Sequence, residues 1–127
     1  MPMTPIPTNS SLFERRFTVI LDYATMDTTH IPNFVGGDGT LHAQMRVDEL
    51  GKILKGVLDP GSSIGYHTHE TSSEIIYILS GAGKVKYDDG EEAVSAGQCH
   101  YCPKGHSHAL INNSGEPLEF FAVVPNQ

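Results

Sequence analysis

Seven histidines occur in 127 residues, and three of them, with one carboxylate, fall at spacings that suit a metal ion. His67 and His69 are two residues apart, so on a β-strand they share a face with Cα atoms about 6.6–7 Å apart. Two imidazoles so placed can converge on one ion with bonds of about 2.0–2.1 Å. Glu70-Thr71-Ser72-Ser73 then reads as a polar turn, with Glu70 a solvated turn residue, and Glu74 opens the next strand. A hairpin there carries the Glu74 carboxylate back beside the two histidines. His108, at the start of a later strand, can complete the shell from across a barrel. Taken alone, an H-x-H pair serves equally well as surface or structural histidines.

Other reactive side chains have simpler readings. Cys99 and Cys102 form a C-x2-C pair, but Gln98 to Cys102 reads as a strand, which puts residues three apart on opposite sides at about 10 Å. A disulfide needs Cα atoms within about 4.4–6.8 Å, and a zinc knuckle needs a second cysteine pair, so both are read as free structural thiols. His106, two before His108, is either a loop histidine or a base beside the site. Of His100 and Tyr101, one faces in and the other out, and the alternation does not say which, because Cys99 and Cys102 are equally compatible with burial. Tyr77 lies on the face opposite Glu74 and reads as packing. His42, Gln44 and Arg46 form a polar face, either solvent-exposed or a pocket wall with Arg46 as an anion anchor. Asp88, Asp89, Glu91 and Glu92 read as a solvated hairpin tip. No serine or cysteine has the context of an activated nucleophile.

The elements that must position these groups are strands. Gly and Pro number 13 and 8, a turn-rich balance that favours many short strands. Leu41 to Val47 and Ile53 to Leu58 alternate apolar with polar residues. Asp59-Pro60-Gly61 then turns the chain. Ile75 to Leu79 is apolar on both faces, as in a strand buried on both sides. Val85 to Tyr87 and Glu91 to Val94 flank Asp88-Asp89-Gly90, a hairpin signal. His108 to Ile111 and Leu118 to Val124 follow. With a stretch around Phe17 to Leu21, nine or ten short strands are expected, the rhythm of an all-β sandwich or barrel. Gly36-Gly37-Asp38-Gly39 leads into a strand and reads as a plain loop.

Length bounds the chain to one domain: residues 1–11, with Pro2, Pro5 and Pro7, read as a flexible lead-in, and 12–127 as the domain. The first residues lack the basic and apolar regions of a secretory signal, and with two cysteines this points to the cytoplasm of a prokaryote-like cell. A net charge of −7 repels phosphate backbones and anionic lipid, so neither nucleic acid nor membrane is an expected partner. The longest apolar runs have five residues, far short of the ~20 that span a bilayer.

The spacing becomes specific when whole segments are read. Residues 61–81 run Gly61, five residues, His67-Thr68-His69, four residues, Glu74, six residues, Gly81. Residues 97–112 run Gly97, five residues, Pro103-Lys104-Gly105, two residues, His108, three residues, Asn112. The sequence thereby resembles a single-domain cupin: all ten signature positions of that family's two motifs match, with 15 residues between the motifs. The strand rhythm extends the resemblance to about residues 36–124.

The resemblance implies an all-β jelly-roll, or double-stranded β-helix, barrel with a metal near one mouth, often paired as a homodimer. It implies His67, His69, Glu74 and His108 as ligands of one divalent transition metal, Fe, Mn, Ni, Zn or Cu. Such a set leaves one or two positions on a five- or six-coordinate ion open to a small-molecule ligand. The expected function is binding and conversion of a small polar metabolite, by dioxygenase, lyase, decarboxylase or isomerase chemistry, with His106 and Tyr101 as candidate catalytic acid or base. The competing expectation is a non-catalytic module that binds or senses a small molecule or metal. Lys104 and Asn112 are expected to shape the turns around His108.

Overall fold

Alternating apolar and polar residues lay down a set of antiparallel strands, each with one face on a shared core. The computed structural model describes residues 19–127, so the lead-in at 1–11 lies outside the described residues. The strands are β1 (Thr29–Pro32), β2 (Thr40–Asp48), β3 (Gly51–Leu58), β4 (Ser63–Thr68), β5 (Glu74–Ser80), β6 (Ala82–Tyr87), β7 (Gly90–Ser95), β8 (Cys99–Cys102), β9 (Ser107–Ile111) and β10 (Leu118–Pro125). A short 3-10 turn at Phe34–Gly36 separates β1 from β2. Two sheets result, one in the order β1-β2-β3-β10-β5-β8 and one in the order β4-β9-β6-β7. This is the all-β, double-stranded arrangement expected from the sequence.

The core lies between the sheets. From the first sheet come Leu41, Ala43, Leu54, Leu58, Ile76, Ile78, Leu118, Phe120 and Ala122; from the second come Ile64, Val85, Val94 and Leu110. Removing this apolar surface from water, at roughly 25 cal/mol per Å², is the main drive that brings the sheets together. On β5 the expectation of burial on both faces fails: Ile76 and Ile78 are 1% and 0% exposed, whereas Ile75, Tyr77 and Leu79 are 40%, 43% and 41% exposed. The sheet is half of a sandwich, so only one of its faces meets the core. The strand expected around Phe17 to Leu21 is also absent in its described part. Val19 to Leu21 form no strand, and Val19 and Ile20 are largely exposed. β1 takes the sheet edge beside β2 instead, with Ile31 opposite Leu41.

One seam between the sheets is closed by backbone. The chain from Phe34 to Thr40 runs against β4, where the Ser63 N–H donates to the Asp38 carbonyl and the Asp38 N–H donates to Ser63 Oγ. The approach is close enough to demand glycine: a Cβ on Gly65 would lie 2.2 Å from the Val35 carbonyl oxygen. Just past β9, fully buried Asn112 ties its own segment to the end of β3 and to Glu116, its Nδ2 donating to the carbonyls of Leu58, Asp59 and Glu116. Gly65→Ala is expected to lower unfolding free energy by about 1–3 kcal/mol, the scale of overpacking, through forced separation at this seam. Chemical denaturation checks this, and an unchanged midpoint would show that the seam yields freely.

Candidate metal centre

The strand register brings the four expected residues to one place. β4 and β9 pair antiparallel with His67 directly opposite His108, after an irregularity between Ile64 and His67. His69 lies just past β4, held by its N–H to the His106 carbonyl, while the Gly105 N–H donates to the His69 carbonyl. The turn after it returns the chain so that Glu74, first residue of β5, faces the histidines. His69, Glu74 and His108 are buried, and His67 is half-buried.

Four donor atoms converge within 4.8 Å of one another. His69 Nε2 is 3.1 Å from His67 Nε2, 3.0 Å from His108 Nε2 and 3.0 Å from Glu74 Oε1. Glu74 Oε1 is 2.9 Å from His108 Nε2. Adjacent ligand atoms on an ion with bonds of about 2.1 Å at right angles are separated by about 3.0 Å, so this spacing fits a common cation.

The far side of each ring supports the same reading. His67 Nδ1 donates to the Gly65 carbonyl at 2.6 Å, which places its proton on Nδ1 and leaves a lone pair on Nε2. His69 Nδ1 meets Ser72 Oγ at 2.8 Å, and His108 Nδ1 meets His100 Nε2 at 3.0 Å, both acceptors for an Nδ1 proton. Three imidazole lone pairs and a carboxylate then face one another in a buried space. Only shared protons or a cation relieve their repulsion, and a divalent ion does so with all four at once.

The ionisation of the groups agrees. Burial works against the charge on Glu74, but without a cation, protons shared from the facing nitrogens of His108 and His69 outweigh it and hold its carboxyl down to about 2. Burial lowers the pKa of His67, with further lowering from His108 and His69 against the opposing Gly65 hydrogen bond and Glu74. Burial and the neighbouring His108 push His100 down to about 4 against the pull of Glu74. His67 and His100 are therefore neutral at pH 7, and for His67 that is the form that ligates. Cys102, fully buried, is pushed up to about 11 by burial and by Glu74 and Asp88, so it stays a thiol. Cys99 is exposed on the other face of β8, and both cysteines are free.

The residues expected to act as acid or base make their side-chain contacts outside the four donors. His106 donates from Nδ1 to Asp88 Oδ2 at 2.8 Å and stacks on Tyr87, its ring half open to solvent. Tyr101 is 56% exposed and lines, with Tyr87, Glu92, Gln98, Cys99 and His100, a cleft of about 560 Å³ between β7 and β8. Asp88 departs from the solvated-tip reading: besides His106 it accepts the Ser107 N–H, and these bonds lower its pKa. His42, Gln44 and Arg46 lie on the opposite face of β2 from Leu41 and Ala43, away from the core. There His42 Nε2 meets the Asp59 carboxylate at 3.0 Å.

His100 is the supporting residue that the alternation leaves undecided. The burial of Cys102 settles its direction, since residues two apart on β8 share a face. His100→Ala is expected to weaken metal binding about 10- to 100-fold in competition against a chelator, the usual effect of losing a ligand's hydrogen-bond partner. Unchanged affinity would remove His100 from the site.

Acid sensitivity follows from the lowered histidines. Above about pH 6.5 they are neutral in both folded and unfolded chains, and their contribution to stability is intact. As pH falls towards 4 the unfolded chain takes up protons first, so metal-free protein loses stability. Urea midpoints at pH 7.5, 6 and 5 should fall in that order, less steeply in His100→Asn. A midpoint that rises on acidification contradicts the neutral assignment.

Comparison with known proteins places this geometry in a family. A curated "Oxalate-binding protein" of Thermotoga maritima is 44% identical over 68 residues, 53% of this chain and 55% of that one. An uncharacterized protein of Methanocaldococcus jannaschii is 30% identical over 79 residues, 62% of this chain and 63% of that one, so the matches span under two thirds of either curated relative. A Thermotoga maritima crystal structure described as a "predicted oxalate decarboxylase" superposes with a TM-score of 0.81 at 28% identity, covering 86% of this chain and 100% of that one. The Cupin domain family model matches residues 37–124, which include both motifs and all four converging donors: the chain belongs to the cupin family.

Proposed function

We propose that the chain binds a small carboxylate metabolite, of the class of oxalate, at a divalent metal held by His67, His69, Glu74 and His108. The observation that carries this reading is the convergence of three imidazole nitrogens and one carboxylate oxygen within 4.8 Å. The donor set contributes one negative charge, so a divalent centre keeps a net positive charge and attracts an anion, although the chain as a whole carries −7. A bound ion supplies Lewis acidity and one or two exchangeable positions for carboxylate oxygens. His69, Glu74 and His108 exclude water from the inner side of the centre by their burial, and half-buried His67 lies on its more open side. The similarity to a Thermotoga maritima oxalate-binding protein supports oxalate as the first ligand to test.

Binding is favoured over conversion by the placement of the acid–base candidates. His106 commits Nδ1 to Asp88, and Tyr101 borders the cleft beside His100, on the side of His108 away from Nε2. Conversion draws on the same centre, and it requires one of these groups to reach the ligand.

Equilibrium dialysis with Mn(II) and then oxalate tests the reading. Wild-type protein should take up about one ion per chain and bind oxalate only when loaded. His67→Ala/His69→Ala should lose both while remaining folded. Oxalate binding that is indifferent to metal, or metal uptake that survives the double substitution, contradicts it.

A further inference from the structure

β3 places a lysine on the inner face of the barrel, level with the metal centre. Leu54 and Leu58 on β3 point into the core at 2% and 0% exposure, so by the two-residue period Lys52 faces the same way. The opposite face is marked by Lys55, which pairs with Glu119 outside the core. Lys52 is opposite Val124 on β10. On the other side of β10, Val123 is opposite Ile75, which sets Val124 opposite Glu74. Lys52, Val124 and Glu74 thus form one row, and two strand spacings of about 4.8 Å put the backbone of Lys52 about 9.6 Å from that of Glu74.

The side chain is half-buried and leans on the edge of the core. Lys52 Nζ lies over the ring of Phe34, 5.5 Å from its centroid, and Phe34 packs against the core. Lys55 and Lys84 have carboxylate partners, whereas Lys52 makes no salt bridge among the described residues. An ammonium supported on an aromatic face, on a flexible four-carbon stem, is suited to receive an anion.

We propose that Lys52 is the anion anchor of the site: it holds the second carboxylate of a dicarboxylate whose first carboxylate takes the metal. This assignment rests on the carboxylate-binding reading above and narrows its ligand to a small dianion. It also moves the anchoring role from Arg46, on the outer face of β2, to a residue in the row of Glu74. No bond is made or broken; the role is recognition and discrimination.

The test compares oxalate with acetate by calorimetric titration into Mn(II)-loaded protein. Lys52→Met keeps the stem over Phe34 and removes only the charge. It should weaken oxalate binding by at least about tenfold, the scale of a lost charged hydrogen bond, and leave acetate binding, metal stoichiometry and Tm unchanged. Lys52→Arg should recover most of the oxalate affinity. Undiminished oxalate binding in Lys52→Met overturns the assignment, as does an equal loss for acetate or a loss of metal, since each marks a merely structural residue. Wild-type protein that takes up metal but binds no oxalate overturns the carboxylate reading itself and Lys52's role with it.

Discussion

Four electron-pair donors held within 4.8 Å of one another in a largely buried space repel one another, and most of the structure near the mouth of the barrel is arranged to hold them there. The β4–β9 register sets His67 opposite His108, the backbone bonds between residues 105–106 and His69 fix the third ring, and the following turn returns Glu74. On the far side of each imidazole, an acceptor from Gly65, Ser72 or His100 can hold the Nδ1 proton and turn the Nε2 lone pair inward. The constraint is electrostatic, and it is stable at neutral pH only because a cation or shared protons can occupy the centre of the four.

The barrel meets this demand by being rigid on one side and open on the other. Glycine backbone at the Val35–Gly65 contact closes the seam beside β4, and the interdigitated apolar side chains of the two sheets resist local movement. Between the edge strands β7 and β8 the sheets part to form the cleft that exposes His100 and Tyr101. His100 therefore connects the cleft to the candidate ligand His108, while Lys52 lies in the row of Glu74, two strands away in the same sheet.

Much of this was legible in the residues. The ten matched motif positions selected Glu74 over Glu70 and His108 over His106, and the fold then brought exactly those donors together. Period-two alternation located β2, β3 and β10 to within two residues at their ends. It failed on β5, because a run of large apolar residues reads alike for a strand buried on both faces and for one that leaves Ile75 and Tyr77 at the surface. The direction of His100 and the tie between Asp88 and His106 were hidden for another reason. Each depends on which strands lie across the barrel, and spacing along one strand carries no record of that. Lys52 is the same case: its significance comes from being two strands away from Glu74 in space and 22 positions away in sequence.

The most direct test of the central claim is anomalous diffraction from crystals of the metal-loaded protein, collected on either side of the metal absorption edge. The account predicts one strong peak per chain, about 2.0–2.3 Å from His67 Nε2, His69 Nε2, His108 Nε2 and a Glu74 carboxylate oxygen, with the rings in the orientations their Nδ1 partners impose. A peak placed elsewhere, or one that leaves any of the four donors uncoordinated, would contradict it.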